Sequence, residues 1–274
     1  MSRSVSARSA AVAGAVLVVL AGATACSADA SEDSDPERRS FALRGDTLTV
    51  DSDDSSLDIV AVDDLPAGKI EVTRWFQGSV AVGKDPKVTW SMDDDRLKLR
   101  LECSGVVADC AARHRIEVPG GTALDIRTAD GNVHATGFRR PLAIRSGDGN
   151  VRVSDSSSPL TLRSGDGRIR VTEATGRLDL HTGDGDIHAE GDSREVTTRS
   201  GDGSVRLRLG TVPDRVETRA GDGNVTVEVP RATYRVTTVT GDGRVNVSVP
   251  RADSSDHVVS AHTGDGKVTV RIAN

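Results

Sequence analysis

One short phrase returns eight times from Thr122 to the end of the chain: TADGNV, SGDGNV, SGDGRI, TGDGDI, SGDGSV, AGDGNV, TGDGRV and TGDGKV. Its central aspartates are Asp130, Asp148, Asp166, Asp184, Asp202, Asp222, Asp242 and Asp265, spaced 18, 18, 18, 18, 20, 20 and 23 residues apart. Self-similarity at such a period signals a solenoid, a propeller or an array of small units. Positions six and four before each Asp are mostly apolar, as in Leu142/Ile144 and Leu160/Leu162, and so are those three and five after it, as in Val151/Val153 and Ile169/Val171. This is period-two alternation on both sides of a tight corner, rich in β-branched residues. Eighteen residues hold two strands and two turns, but not a strand and a helix.

Two geometries fit, a parallel solenoid with one coil per repeat or a meander of hairpins. The solenoid is favoured because stacked coils set equivalent residues above one another, so one position keeps one character throughout. The expectation is an all-β fold, a right-handed parallel β-solenoid of about eight coils. The glycines are expected to supply positive φ at each corner, with the Asp carboxylate accepting from nearby backbone N–H groups.

Four stretches follow from this reading. Residues 1–25 carry Arg3 and Arg8, then the apolar run AAVAGAVLVVLAGATA, which reads as a signal peptide. The run is short for a bilayer span. Cys26 follows Ala23-Thr24-Ala25 and resembles a bacterial lipobox cysteine, the residue that becomes lipidated; Ala23 stands where Leu is commonest, and Ala-Thr-Ala also suits ordinary cleavage with secretion. Residues 26–44 are polar and charged and read as a disordered tether. Residues 45–121 alternate without the GDG phrase and read as irregular first strands and a cap, because terminal repeats must cover an exposed core end. Residues 122–274 form the repeat array. Trp75, Phe76 and Trp90 fall within the cap segment, and an aromatic ligand site there is the sharper alternative to capping.

Cys103 and Cys110 bracket a six-residue loop, and in an exported protein they are expected to form a disulfide. Net charge is −6 with both signs interspersed and aromatics are scarce, which disfavours nucleic acid as a partner.

VPGGTALDIRTADGNV, the repeated SGDGNVRV-type coils and the closing TGDGKVTVRI resemble the "putative adhesin" domain family of exported bacterial proteins, a domain of unknown function. The resemblance covers roughly Asp46 to the C-terminus. It implies a β-solenoid outside the cell and brings no active-site residues.

Three chemistries were open. Calcium would relieve repulsion among stacked aspartates, but the calcium β-roll signature needs a ligand where this chain has Val or Ile. Three residues before each Asp stands an outward position, Arg127, Arg145, Arg163, His181, Arg199, Arg219, Val239 and His262. Those arginines either compensate the aspartates or form a stripe for an anionic polymer, with Arg152, Arg170 and Arg206 nearby. A polysaccharide-active β-helix enzyme is the third, disfavoured because acidic and basic positions recur in every coil whereas an active site is singular. The expectation is therefore a non-enzymatic lipoprotein without cofactor or metal, anchored to the membrane only through lipid or alternatively secreted. Its ligand would belong to the cell envelope or its surroundings.

Overall fold

The computed structural model describes residues 28–273; the leader and Cys26 lie outside them. Among the described residues there is no α-helix, only a three-residue 3-10 turn at Ala30–Glu32, and no helix is long and apolar enough to cross a membrane. The strands form two sheets, of twelve and eleven strands, whose inward side chains share one core. Seven strands precede the repeats: β1 (Glu37–Ala42), β2 (Thr47–Ser52), β3 (Ser56–Val62), β4 (Lys69–Gly83), β5 (Lys87–Asp93), β6 (Arg96–Glu102) and β7 (Gly105–Pro119). Each GDG unit then gives one strand to each sheet, as Leu142–Ser146 and Val151–Ser156 do in the second unit. Neighbouring units pair parallel and in register, Leu142 with Leu160 and Val151 with Ile169. This is the expected β-solenoid, and Leu162, Val171, Leu180 and Leu207 are wholly buried along its axis.

The stacking order departs from the chain order at both ends. β2 and β3 lie between the first unit on one side and β6 and β7 on the other. At the far end the eighth unit (Val258–His262, Val268–Ile272) is inserted between the sixth (Arg215–Ala220, Val225–Val229) and the seventh (Arg235–Val239, Val245–Ser248). Burial explains the choice. Val259, Ala261, Val268 and Val270 of the eighth unit are fully covered, whereas the inward Val245 of the seventh stays 47% exposed. The more apolar unit takes the interior slot. Glu228 of the sixth unit pairs with Arg271 of the eighth across this junction. Lys267 and Arg271, which a sequential stack would put on the open edge, are therefore interior, and the edge belongs to the seventh unit.

Residues 26–44 do not form a tether over their described part. β1 adds to the first sheet antiparallel to β4, with Phe41 opposite Ile70. Phe41 and Leu43 are 8% and 4% exposed, so two apolar side chains in an otherwise polar stretch suffice to dock it. Phe41 meets Trp90 edge to face at 6.1 Å, and the Arg74 guanidinium lies 4.5 Å over the Trp90 ring. Phe41 and Trp90 thus cover the core at this end, beside a buried His114 6.4 Å from Trp90.

Candidate functional site

The GDG corners superimpose along one edge, and the reason for their glycines differs from expectation. None of them has positive φ. A Cβ at Gly149 would lie 2.2 Å from the Gly131 carbonyl oxygen, and one at Gly203 would lie 2.0 Å from that of Gly185. The second Gly is required because consecutive coils approach too closely for any side chain. Positive φ appears instead at the second corner, seven residues after the Asp, at Gly137 (84°), Asp155 (50°) and Glu173 (55°).

The GDG aspartates, Asp130 to Asp265, are exposed and form no salt bridge or side-chain hydrogen bond among the described residues. The expected Asx contact is made by the hydroxyl two positions earlier. Thr182 Oγ1 donates towards the carbonyls of Gly165 (3.1 Å) and Gly167 (2.9 Å), and Gly167 N donates to Ser164 Oγ at 3.1 Å. Ser200, Thr240 and Thr263 repeat the staple. A second ladder runs two residues after the Asp: Asn132 Oδ1 accepts from Asn150 N (3.0 Å), and Asn150 Oδ1 accepts from Arg168 N (3.0 Å). The signal for both lay in the phrase itself, [S/T]-GDG-N, where Ser or Thr and Asn are small side chains able to reach the next coil's backbone.

Basic columns flank the aspartate edge on both sides. On one sheet Arg127, Arg145, Arg163, His181, Arg199 and Arg219 stand in register. Their carboxylate partners are not the corner aspartates: Asp125 takes Arg127 (3.5 Å) and Arg145 (2.9 Å), and Asp179 takes Arg163 (4.0 Å). These are exposed contacts on the sheet face, each worth well under about 1 kcal/mol. Arg199 and Arg219 make no salt bridge among the described residues. On the other sheet His134, Arg152, Arg170, His188 and Arg206 form the second column. Burial, with the charges of Arg170 and Arg206, holds the His188 pKa below its ordinary value.

The upper part of this second column opens into a groove of about 500 Å³, lined by Asp58, Arg113, His134, Asn150, Arg152 and Arg170 among others. Asp58 is already engaged by Arg115 (3.1 Å), Arg113 (3.6 Å) and His134 (3.7 Å). Arg152 and Arg170 are exposed and have no salt bridge among the described residues. One satisfied carboxylate against several guanidinium groups leaves the groove positive, and such a surface draws anions from solution. No group of three or more His, Cys, Asp or Glu poised to hold a metal occurs among the described residues.

Cys103 and Cys110 are joined by a disulfide, with Cα atoms 6.2 Å apart, which ties the end of β6 to β7.

Residues 22–274 match the family model Toastrack DUF4097, nearly the whole chain. The chain belongs to that family. Among solved structures, this Toastrack chain is similar to a "putative lipid binding protein" from Parabacteroides distasonis ATCC 8503 (TM-score 0.55, 13% identity, 88% of this chain and 98% of that one). A "putative adhesin" from the same organism has a TM-score of 0.53 at 14% identity, over 88% of this chain and 98% of that one. At such identities the likeness establishes the Toastrack fold alone. No curated protein matches the sequence.

Proposed function

We propose that this chain is a non-catalytic, exported surface module, held at the membrane by lipid on Cys26, that offers its basic groove to an anionic polymer of the cell envelope or surroundings. The observation that carries the reading is Arg152 paired in register with Arg170 beside an open groove, neither bound to a carboxylate. Charges repeating at strand spacing suit a ligand whose own charges repeat, such as an acidic polysaccharide or teichoic acid. The leader with its lipobox-like Cys26 supports export and anchoring. The two structural neighbours, a "putative adhesin" and a "putative lipid binding protein", accord with a binding role outside the cell.

Recurrence is the argument against catalysis. The acidic and basic positions repeat from coil to coil, as architecture does, and a depolymerase assay that released fragments from an acidic polysaccharide would overturn it. The binding test is retention of the full-length protein on immobilised teichoic acid or acidic polysaccharide. Retention should weaken steeply between low and physiological salt, and Arg152→Ser with Arg170→Ser should reduce affinity about tenfold. No retention at low salt would end the polymer reading.

A further inference from the structure

The strands β4 and β7 run well past the sheet they join. Their outer halves, Phe76–Gly83 and Gly105–Ala112, pair only with each other as a two-stranded arm among the described residues. The face that buries Ile70, Val72, Ile116 and Val118 inside the rod continues outward along this arm with Val80, Val82 and Val106. At the tip Val82, Val106 and Val107 are 66%, 65% and 77% exposed. With Val239 and Val245 at the far end, these are the exposed large apolar side chains among the described residues. Valines clustered on a tip, with nothing among the described residues to cover them, need an apolar neighbour.

The course of the N-terminus indicates which one. Asp33 accepts from Phe76 N at 3.0 Å, near the root of the arm. Five residues earlier, Ala28 N donates to Asp109 Oδ2 at 2.7 Å, and Asp109 pairs with Ser79 further out. Read backwards, the chain runs along the arm towards its tip. Cys26 lies two residues beyond Ala28, a reach of at most about 7 Å. Val106 lies three strand residues beyond Asp109, about 10 Å. Ala28, two residues after the candidate lipid attachment point, therefore lies against the same arm that carries the valine tip.

We propose that the arm tip is a second membrane contact, with Val82, Val106 and Val107 seated in the interfacial layer of the bilayer that holds Cys26. This rests on the lipid anchor proposed above and adds an orientation: two attachments fix how the rod stands, where one flexible anchor would not. Apolar burial beside a lipid anchor is the two-signal arrangement that makes surface attachment stable. The charges near the tip, Lys84, Asp85, Lys87 and Glu102, balance, so this contact should be insensitive to salt, unlike that of the groove.

The test places an environment-sensitive fluorophore at Val107→Cys, and separately at Asn246→Cys at the far end, in the full-length protein reconstituted into phosphatidylethanolamine–phosphatidylglycerol vesicles. The probe at 107 should shift to the blue and be quenched by iodide about fivefold less than the probe at 246, at low and high salt alike. Replacing Val82→Asp and Val106→Asp should abolish that protection without changing the melting temperature. Equal quenching at the two positions overturns the proposal. Protection that persists in detergent and grows with protein concentration also overturns it, because the tip would then be covered by a second copy. The mass of the N-terminal peptide reports independently whether Cys26 carries lipid, so failure of the anchor and failure of the tip are read apart.

Discussion

At its first end the rod is closed by strands that run against the grain of the stack, while at its last end the parallel stack simply stops. β1, β4 and β5 pair antiparallel with their neighbours and bring Phe41, Trp90 and Met92 over the core. The seventh unit, which ends the other side, pairs parallel like any internal coil, and its inward Val245 is half exposed. At both ends the stacking order departs from the chain order: β6 and β7 stack outside β2 and β3 at the first end, and the seventh unit outside the eighth at the last. The difference lies in what covers the last buried layer. A cap made of aromatic side chains concentrates stability and strain in a few residues. An end made of a weak repeat spreads a small loss over a unit that already contributes little. The ends should therefore respond very differently to substitution.

The largest effect is expected at Phe41. Its ring is buried against Trp90 and under the Arg39 guanidinium, 5.0 Å from its centroid. Phe41→Ala should cost about 3–4 kcal/mol, seen as a lowered denaturant midpoint with unchanged slope. A change below about 0.5 kcal/mol would mean that residues 37–42 are a tether after all, and that the cap begins later in the chain.

The same cap should fail first in acid. His114 is fully buried, and neither ring nitrogen has a partner. Burial, reinforced by the Arg74 charge, holds its pKa down at about 3, against 6.5 for the free side chain. Above pH 6.5 both folded and unfolded chains keep the imidazole neutral, and the group costs nothing through titration. Between 6.5 and about 3 the unfolded chain takes up a proton that the folded one refuses. Stability then falls by about 1.4 kcal/mol per pH unit. At pH 5 the deficit should be about 2 kcal/mol relative to neutral pH. His114→Leu should remove that slope, and relieving two unpaired buried nitrogens should also stabilise the protein at pH 7. An unchanged slope between pH 7 and 5 in the variant would place the acid-labile group elsewhere.

Much of the body of the rod was legible because period and alternation survive translation into structure directly: Leu142, Ile144, Val151 and Val153 point inward as their spacing requires. The ends were not legible, for a physical reason. Stacking order depends on which of two similar units buries more, a comparison between units that no single repeat displays; the spacings of 20 and 23 residues hinted only that the connections change. Phe41 and Leu43 docked a polar stretch on the strength of two side chains, below what composition can register. The glycines were read by conformation when close approach governs them, because a sequence shows one coil at a time and the clash lies between coils. At the site, the arginine columns could be read from spacing, but their carboxylate partners, Asp125 and Asp179, could not, since side-chain length and direction select the sheet face over the corner.

The smallest effect is expected where the parallel stack ends. Val225 and Val245 occupy the same position of the repeat, three residues after the corner aspartate, and both flank Val268 of the inserted eighth unit. Val225 is fully buried beneath that unit, whereas Val245 is 47% exposed. Threonine preserves the shape of valine but brings a hydroxyl, which is harmless in water and unpaired in the core. Val225→Thr should therefore cost about 1–3 kcal/mol, and Val245→Thr should stay within about 0.5 kcal/mol of the parent. Thermal unfolding of the two variants side by side reads the order of the stack directly. If the coils followed chain order, the eighth unit would be terminal and the seventh interior, Val245 would be as sensitive as Val225, and Val268→Thr would become the tolerated change.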